Sequence, residues 1–75
     1  MTDRLKALRP TELIRALERA GFIKRRQTGS HLSMSKPGHP QSLVIPIHNR
    51  TLGRGLQMRI IKDAGLSSEQ LEDLL

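Results

Sequence analysis

The sequence contains no cysteine, which excludes a disulfide framework and any metal site built on thiolates. A small chain without disulfides is compatible with the reducing cytoplasm, and we expect a cytoplasmic protein. Long apolar runs are also missing: none approaches the roughly 20 residues that a membrane-spanning helix requires, and residues 1–10 lack the continuous apolar stretch of a secretion signal. We therefore expect the 75 residues to form one domain, residues 1–75, with no membrane partner.

Carboxylates are absent from the whole middle of the chain. Residues 20–61 contain no Asp or Glu, and the formal net charge of the chain is +6. The basic residues from position 19 to position 62 are Arg19, Lys24, Arg25, Arg26, Lys36, Arg50, Arg54, Arg59 and Lys62. A region of one sign attracts polyanions, so this distribution favours a nucleic-acid partner over charges that serve only solubility. The same absence excludes a Mg²⁺-dependent nuclease or a two-carboxylate glycosidase here, unless the flanking segments supply the acids.

Aromatic side chains are almost absent, since Phe22 is the only one. Without interleaved aromatics, the protein is not a typical platform on which single-stranded bases stack. The sequence has no phosphate-binding glycine loop of the P-loop or dinucleotide type, and its three histidines follow no standard spacing of zinc ligands. We therefore expect neither a metal nor a small-molecule cofactor.

The apolar pattern predicts an α+β domain in the order helix, three strands, helix, short helix. Helices are predicted over residues 9–20, 55–64 and 67–75, and strands over residues 22–27, 30–35 and 43–47. Short connections between successive strands favour a three-stranded antiparallel sheet with the helices on one face. Pro46 cannot donate to a β-ladder, so the third strand is expected at an edge of the sheet.

The same pattern predicts which side chains face the core. Leu56, Ile60 and Ala64 recur at helical spacing and are expected to form the buried face of the second helix. The loop over residues 36–40 is rich in Pro and Gly, so its histidine, His39, is expected to be exposed to solvent.

The groups that remain for chemistry are His, Ser, Lys and Arg. They suffice for RNA cleavage, because RNA carries its own nucleophile, the 2′-OH, and needs only a base, an acid and cations near the phosphate. His31 alternates with Leu32 on the second strand, which places it on the polar face, and histidine titrates near neutral pH. His31 is therefore a candidate general acid or base. The alternatives are an exposed strand histidine without a function and one that only contacts RNA.

Further candidates surround this histidine in the sequence. Arg25, Arg26 and Lys36 flank the strand and could hold phosphates, although a solvated edge explains them equally well. The pair Gly29-Ser30 is either an ordinary hairpin turn or a place where glycine lets a phosphate or base approach the backbone. His48 ends the third strand on the side of His31, where it could assist or simply cap the strand.

Several of these segments together resemble the HicA toxin family. The matching segments are Glu12-Leu13-Ile14, Leu17, Gly21-Phe22, Arg26-Gln27-Thr28-Gly29-Ser30-His31, Val44-Ile45-Pro46-Ile47-His48 and Ile60-Ile61-Lys62-Asp63-Ala64-Gly65-Leu66. Gly-Ser-His alone would be a weak signal, but its order and spacing with the later segments are fairly specific.

The resemblance implies a double-stranded-RNA-binding-domain-like αβββα fold and an mRNA interferase, the toxin of a toxin–antitoxin system. It implies that His31 is catalytic and that a HicB-like antitoxin covers the active face. Two alternatives stay open at this point. A non-catalytic module of the same fold would bind double-stranded RNA without cutting it, and a pure protein-interaction domain would have no affinity for RNA.

Overall fold

The first helix begins and ends at the residues that the sequence marks for this role. In the computed structural model, which describes residues 5–75, Pro10 occupies the first position of the helix. Gly21 follows the helix with a φ of +103°, and Phe22 N–H donates to Leu17 C=O at 3.0 Å. This is the Schellman arrangement that glycine permits, and it returns Phe22, only 2% exposed, to the core.

The predicted α+β layout is confirmed. The elements are α1 (Pro10–Arg19), β1 (Ile23–Thr28), β2 (His31–Ser35), β3 (Leu43–Pro46), α2 (Arg54–Asp63) and α3 (Ser68–Leu74). The strands form one antiparallel sheet in the order β1-β2-β3, so β3 lies at an edge as its proline indicates. This αβββαα order is consistent with a double-stranded-RNA-binding-domain-like fold. The prediction that residues 1–10 carry no secretion signal falls partly on residues 1–4, outside the described residues.

The helices cover one face of the sheet, but only over two of its strands. Leu32 and Met34 of β2 and Leu43 and Ile45 of β3 are buried on that face. All six residues of β1 are exposed, so this strand extends beyond the helical layer and is held through its pairing with β2. No helix among residues 5–75 is long and apolar enough to cross a membrane.

The second helix differs from the prediction in the residue that it buries. Leu56 is 41% exposed, whereas its polar neighbour Gln57 is 2% exposed. The Gln57 Oε1 atom accepts the Leu8 N–H at 2.8 Å, and its Nε2 donates to the Lys6 carbonyl at 2.9 Å. The expectation for Leu56 was therefore wrong, because spacing along one helix cannot reveal the contact that Gln57 makes with residues 6–8.

The short segment before α1 completes the core. Leu5 and Leu8 are 6% and 0% exposed, and Leu52 N–H donates to the Leu8 carbonyl at 2.7 Å. Together with the amide of Gln57, this bond ties residues 5–8 to the second half of the chain.

The sequence predicts that the histidine of the loop between β2 and β3 is exposed to solvent, and this prediction is wrong. His39 is partly buried: its Nε2 lies 2.7 Å from the Asp63 carbonyl oxygen, and its ring packs edge-on against Phe22 with the ring centres 5.3 Å apart. The loop is thus attached to the end of α2, which a reading of its Pro and Gly content alone cannot show.

One carboxylate of α1 makes stability depend on pH. Glu12 accepts the Arg9 N–H at 2.9 Å, and this bond, with Lys6 Nζ at 3.5 Å, holds the pKa of the carboxyl below 4.5. A lowered pKa contributes stability that is complete above the unfolded-state pKa and is lost as the pH falls through the folded-state pKa.

We therefore expect Glu12→Gln to lower the free energy of unfolding at pH 7, with the difference from wild type shrinking below about pH 4.5. Urea unfolding at pH 7 and at stepwise lower pH measures this difference. Glu18→Gln is the control, since Glu18 lies on the same helix and its ion pair with Lys24 is long, at 4.0 Å. A difference that stays constant with pH would contradict the assignment.

Candidate functional site

The sheet face that points away from the helices, here called the open face, collects the polar strand residues. Directly opposed residues of antiparallel strands share a face, so the register defines its members. They are Ile23, Arg26 and Thr28 of β1, His31, Ser33 and Ser35 of β2, and Val44 and Pro46 of β3. His31 therefore lies on the open face, as its alternation with Leu32 predicts.

A two-residue turn carries the tip of the hairpin immediately before His31. Thr28 pairs with His31 across the turn, and Gly29 has a φ of +58°. A positive φ at the first turn position is required in a type II′ turn and favours glycine. A Cβ atom on Gly29 would meet nothing within 4 Å, so this stretch of backbone is also open to an approaching molecule. The turn interpretation and the open-approach interpretation of Gly29-Ser30 are thus compatible.

The imidazole of His31 is exposed and has no hydrogen-bond partner within residues 5–75. Its neighbours across the sheet are Thr28 on one side and Pro46 on the other. Neither of these opposed side chains carries a charge, and both nitrogen atoms of the ring are available to a ligand. Histidine in such an exposed position can serve as a general acid or base.

A β-bulge brings both arginines of β1 to the same face. The register shifts between Lys24 and Arg26, which makes Arg25 the extra residue. Arg26 opposes Ser33, and the Arg25 Nε donates to the Ser35 Oγ at 2.7 Å. Regular alternation would have turned one arginine to each face, whereas a bulge re-aims a side chain. The sequence reasoning missed the bulge, because no glycine marks it.

The arginines of the open face have no carboxylate partner among the described residues. The two ion pairs in this part of the chain join Lys6 to Glu12 and Lys24 to Glu18. Guanidinium groups without a carboxylate partner are suited to bind phosphate oxygens. Within residues 5–75 there is no cluster of three or more His, Asp or Glu side chains that could hold a metal ion.

Lys36, a predicted phosphate ligand, does not join this group. Its Nζ donates to the Ala20 carbonyl at 3.4 Å and lies 4.8 Å from the centre of the Phe22 ring. The Lys36 side chain also passes within 3.1 Å of the place where a Cβ of Gly21 would lie. Lys36 thus contacts the end of α1, and its role as a phosphate ligand stays a prediction.

His48 lies beyond the end of β3. Pairing continues past Pro46, since Ile47 N–H donates to the Ser30 carbonyl at 2.6 Å, and His48 is the next residue. The His48 ring is exposed, and its Nδ1 accepts the Arg50 N–H at 3.1 Å. Its position at the turn end of the sheet is compatible with an assisting role, although one ring nitrogen is already engaged.

Comparison with known proteins adds one finding. A family model described as the HicA toxin of bacterial toxin–antitoxin systems matches residues 10–66, from the start of α1 past the end of α2. The match includes every residue of the open face. No curated protein sequence matches the chain.

Proposed function

The chain belongs to the HicA toxin family, and from this premise we propose that it is a metal-independent endoribonuclease that cleaves messenger RNA with His31 as general acid or base. Membership implies the toxin of a toxin–antitoxin system, generally an mRNA interferase, with RNA as substrate and a HicB-type antitoxin as partner. The finer proposal concerns this chain's own residues and their roles. We propose the cytoplasm, where messenger RNA is translated, as its place of action.

The observation that carries the proposal is the position of His31 on a sheet face that contains arginines and no carboxylate. A base at this position would remove the proton of a 2′-OH, whose oxygen then attacks the adjacent phosphorus. The bond to the 5′-oxygen of the next nucleotide breaks, and that oxygen must receive a proton. The products are a 2′,3′-cyclic phosphate and a free 5′-OH, and no metal is required for the atoms to balance.

Arg25 and Arg26 would bind the phosphate and stabilise the charge that develops on it. Ser35 fixes the Arg25 side chain through the bond at 2.7 Å, so this guanidinium is oriented before RNA arrives. Gly29 and Ser30 would border the substrate at the tip of the hairpin. One further group must supply the second proton transfer, and His48 is the first candidate because it follows β3 at the same end of the sheet.

The fold favours one other function. A domain with a double-stranded-RNA-binding-like layout and exposed arginines could bind duplex RNA without cutting it. Both functions predict RNA affinity that falls with salt concentration, so only the appearance of cleaved product separates them.

We expect the purified protein to cleave RNA in the presence of EDTA and to leave DNA of the same sequence intact, because DNA lacks the 2′-OH. Gel analysis of end-labelled substrates measures cleavage, and mass spectrometry of the products identifies the 2′,3′-cyclic phosphate. Loss of cleavage in EDTA with recovery on addition of Mg²⁺ would contradict the metal-independent mechanism. Binding of duplex RNA without any cleavage would instead support the non-catalytic module.

A further inference from the structure

The edge strand β3 leaves part of its main chain without a partner. Hydrogen-bonded and non-hydrogen-bonded positions alternate along an antiparallel pair, and the bond from Ile47 N–H to Ser30 C=O fixes that alternation here. Leu43 and Ile45 therefore direct their main-chain groups toward β2, while Val44 directs its N–H and C=O outward. An edge of this kind can accept another strand.

Proline limits where such a strand can bind. Pro46 occupies the next outward-directed position and has no N–H, so it offers only its carbonyl to a neighbour. A pairing strand would therefore bind to both the N–H and the C=O of Val44. From there it would extend along β3 in the direction of Ser42, away from Pro46.

A groove lies between this edge and α2, and two of its apolar residues are exposed. Val44 is 51% exposed and Leu56 is 41% exposed. Side chains of an extended segment point alternately to opposite sides. An added strand would therefore contact Val44 on the open face and Leu56 on the helical side. Arg59 and Asp63 of α2 also line the groove, which is here called the β3–α2 groove.

We propose that the β3–α2 groove is a docking site for an extended, acidic segment of the antitoxin, which adds to the sheet as a fourth strand beside β3. Main-chain pairing at Val44 supplies affinity, and alternate apolar side chains against Leu56 supply specificity. A carboxylate of the segment pairs with Arg59 on a chain whose net charge is +6. The inference rests on the antitoxin partner of the proposed function and not on RNA cleavage.

Charge argues against a second copy of this chain as the occupant. A symmetric dimer pairs the same surface from both copies, so pairing through β3 would bring α2 of one copy toward α2 of the other. This would bring together two chains that each carry a net charge of +6. An acidic partner removes this repulsion.

The test is to measure the Kd of the complete chain for the purified HicB-type antitoxin. We expect Leu56→Asp and Arg59→Glu each to raise the Kd about tenfold or more, because each places a negative charge against the acidic segment. Lys62→Glu is the matched control: it makes the same charge change on the exposed side of α2, outside the groove, and is expected to change the Kd by less than about threefold. Hydrogen exchange of the Val44 amide should slow when the antitoxin binds.

Three results would overturn the inference. The first is an unchanged Kd for both groove variants, with circular dichroism showing that they are folded. The second is a Val44 amide that exchanges equally fast in the complex. The third is a wild-type chain that dimerises in light scattering and becomes monomeric with Leu56→Asp, which would assign the groove to a second copy. A wild-type chain that cleaves RNA but never binds the antitoxin would contradict the partner and leave the nuclease intact.

Discussion

Replacing His31 with alanine should reduce the rate of RNA cleavage by about 10²–10⁴-fold, the usual contribution of a positioned general acid or base. The loss should be complete in a growth assay, because a toxin slowed by this factor no longer depletes messenger RNA. His31 is exposed and makes no hydrogen bond within residues 5–75, so the fold does not depend on it. The free energy of unfolding, measured by thermal unfolding, should change by less than about 0.5 kcal/mol.

Single-turnover cleavage of a labelled RNA, measured beside RNA binding, distinguishes the roles that this histidine could have. A proton-transfer role predicts a slower chemical step with nearly unchanged affinity, whereas a pure contact role predicts weaker affinity and an unchanged rate at saturation. Gln27→Ala is the control, because Gln27 lies on the same hairpin but opposes Leu32, on the other face of the sheet. Full activity of His31→Ala would remove this residue from the mechanism. A comparable loss in His48→Ala would identify the second proton-transfer group.

Replacing Gln57 with methionine should destabilise the domain by about 2–3 kcal/mol, although the two side chains have nearly the same shape. The change removes both hydrogen-bonding groups of the amide and leaves the Leu8 N–H and the Lys6 carbonyl without their partner. An unsatisfied buried polar group costs about 1–3 kcal/mol. For a domain of this size, the expected loss lowers the Tm by roughly 10–20 °C.

Leu56→Ala is the matched control for this stability prediction. It truncates an apolar side chain at the adjacent position, whereas Gln57→Met keeps the size of the side chain. Leu56 is, however, 41% exposed, and Gln57 is only 2% exposed. We expect it to cost less than about 1 kcal/mol. Thermal and urea unfolding of both variants measure the contrast. If Leu56→Ala is as harmful as Gln57→Met, then α2 packs through the face that hydrophobic spacing alone predicts.

The elements of this fold could be predicted because local chemistry determines them. Pro10 and Gly21 bound α1, and Ser67 bounds α3 through its hydroxyl, which accepts the Gln70 N–H at 3.0 Å. Strict alternation of Leu32 with polar neighbours gave the faces of β2. In each case the signal and the structure that it specifies lie within a few residues of each other.

The rest could not be predicted, because it depends on contacts between segments that are distant in the sequence. The burial of Gln57 requires a partner 49 residues away, and His39 meets Asp63, 24 residues away. The ammonium group of Lys36 lies at the end of α1, where it contacts the ring of Phe22, 14 positions earlier in the sequence. The bulge at Arg25 has no marker residue, so the sequence could not predict that both arginines of β1 lie on one face of the sheet.

The bonds from Gln57 to the N-terminal segment also determine when the molecule can be completed during synthesis. They span 49 and 51 residues, so the Leu8 N–H and the Lys6 carbonyl cannot reach their hydrogen-bond partner until position 57 has left the ribosome. The strands of the β1–β2 hairpin are joined by a two-residue turn, so the hairpin can form before residue 57 has been synthesised. A nascent chain can therefore form the hairpin that carries His31 early, while the closed core that supports it follows only after α2 has been made.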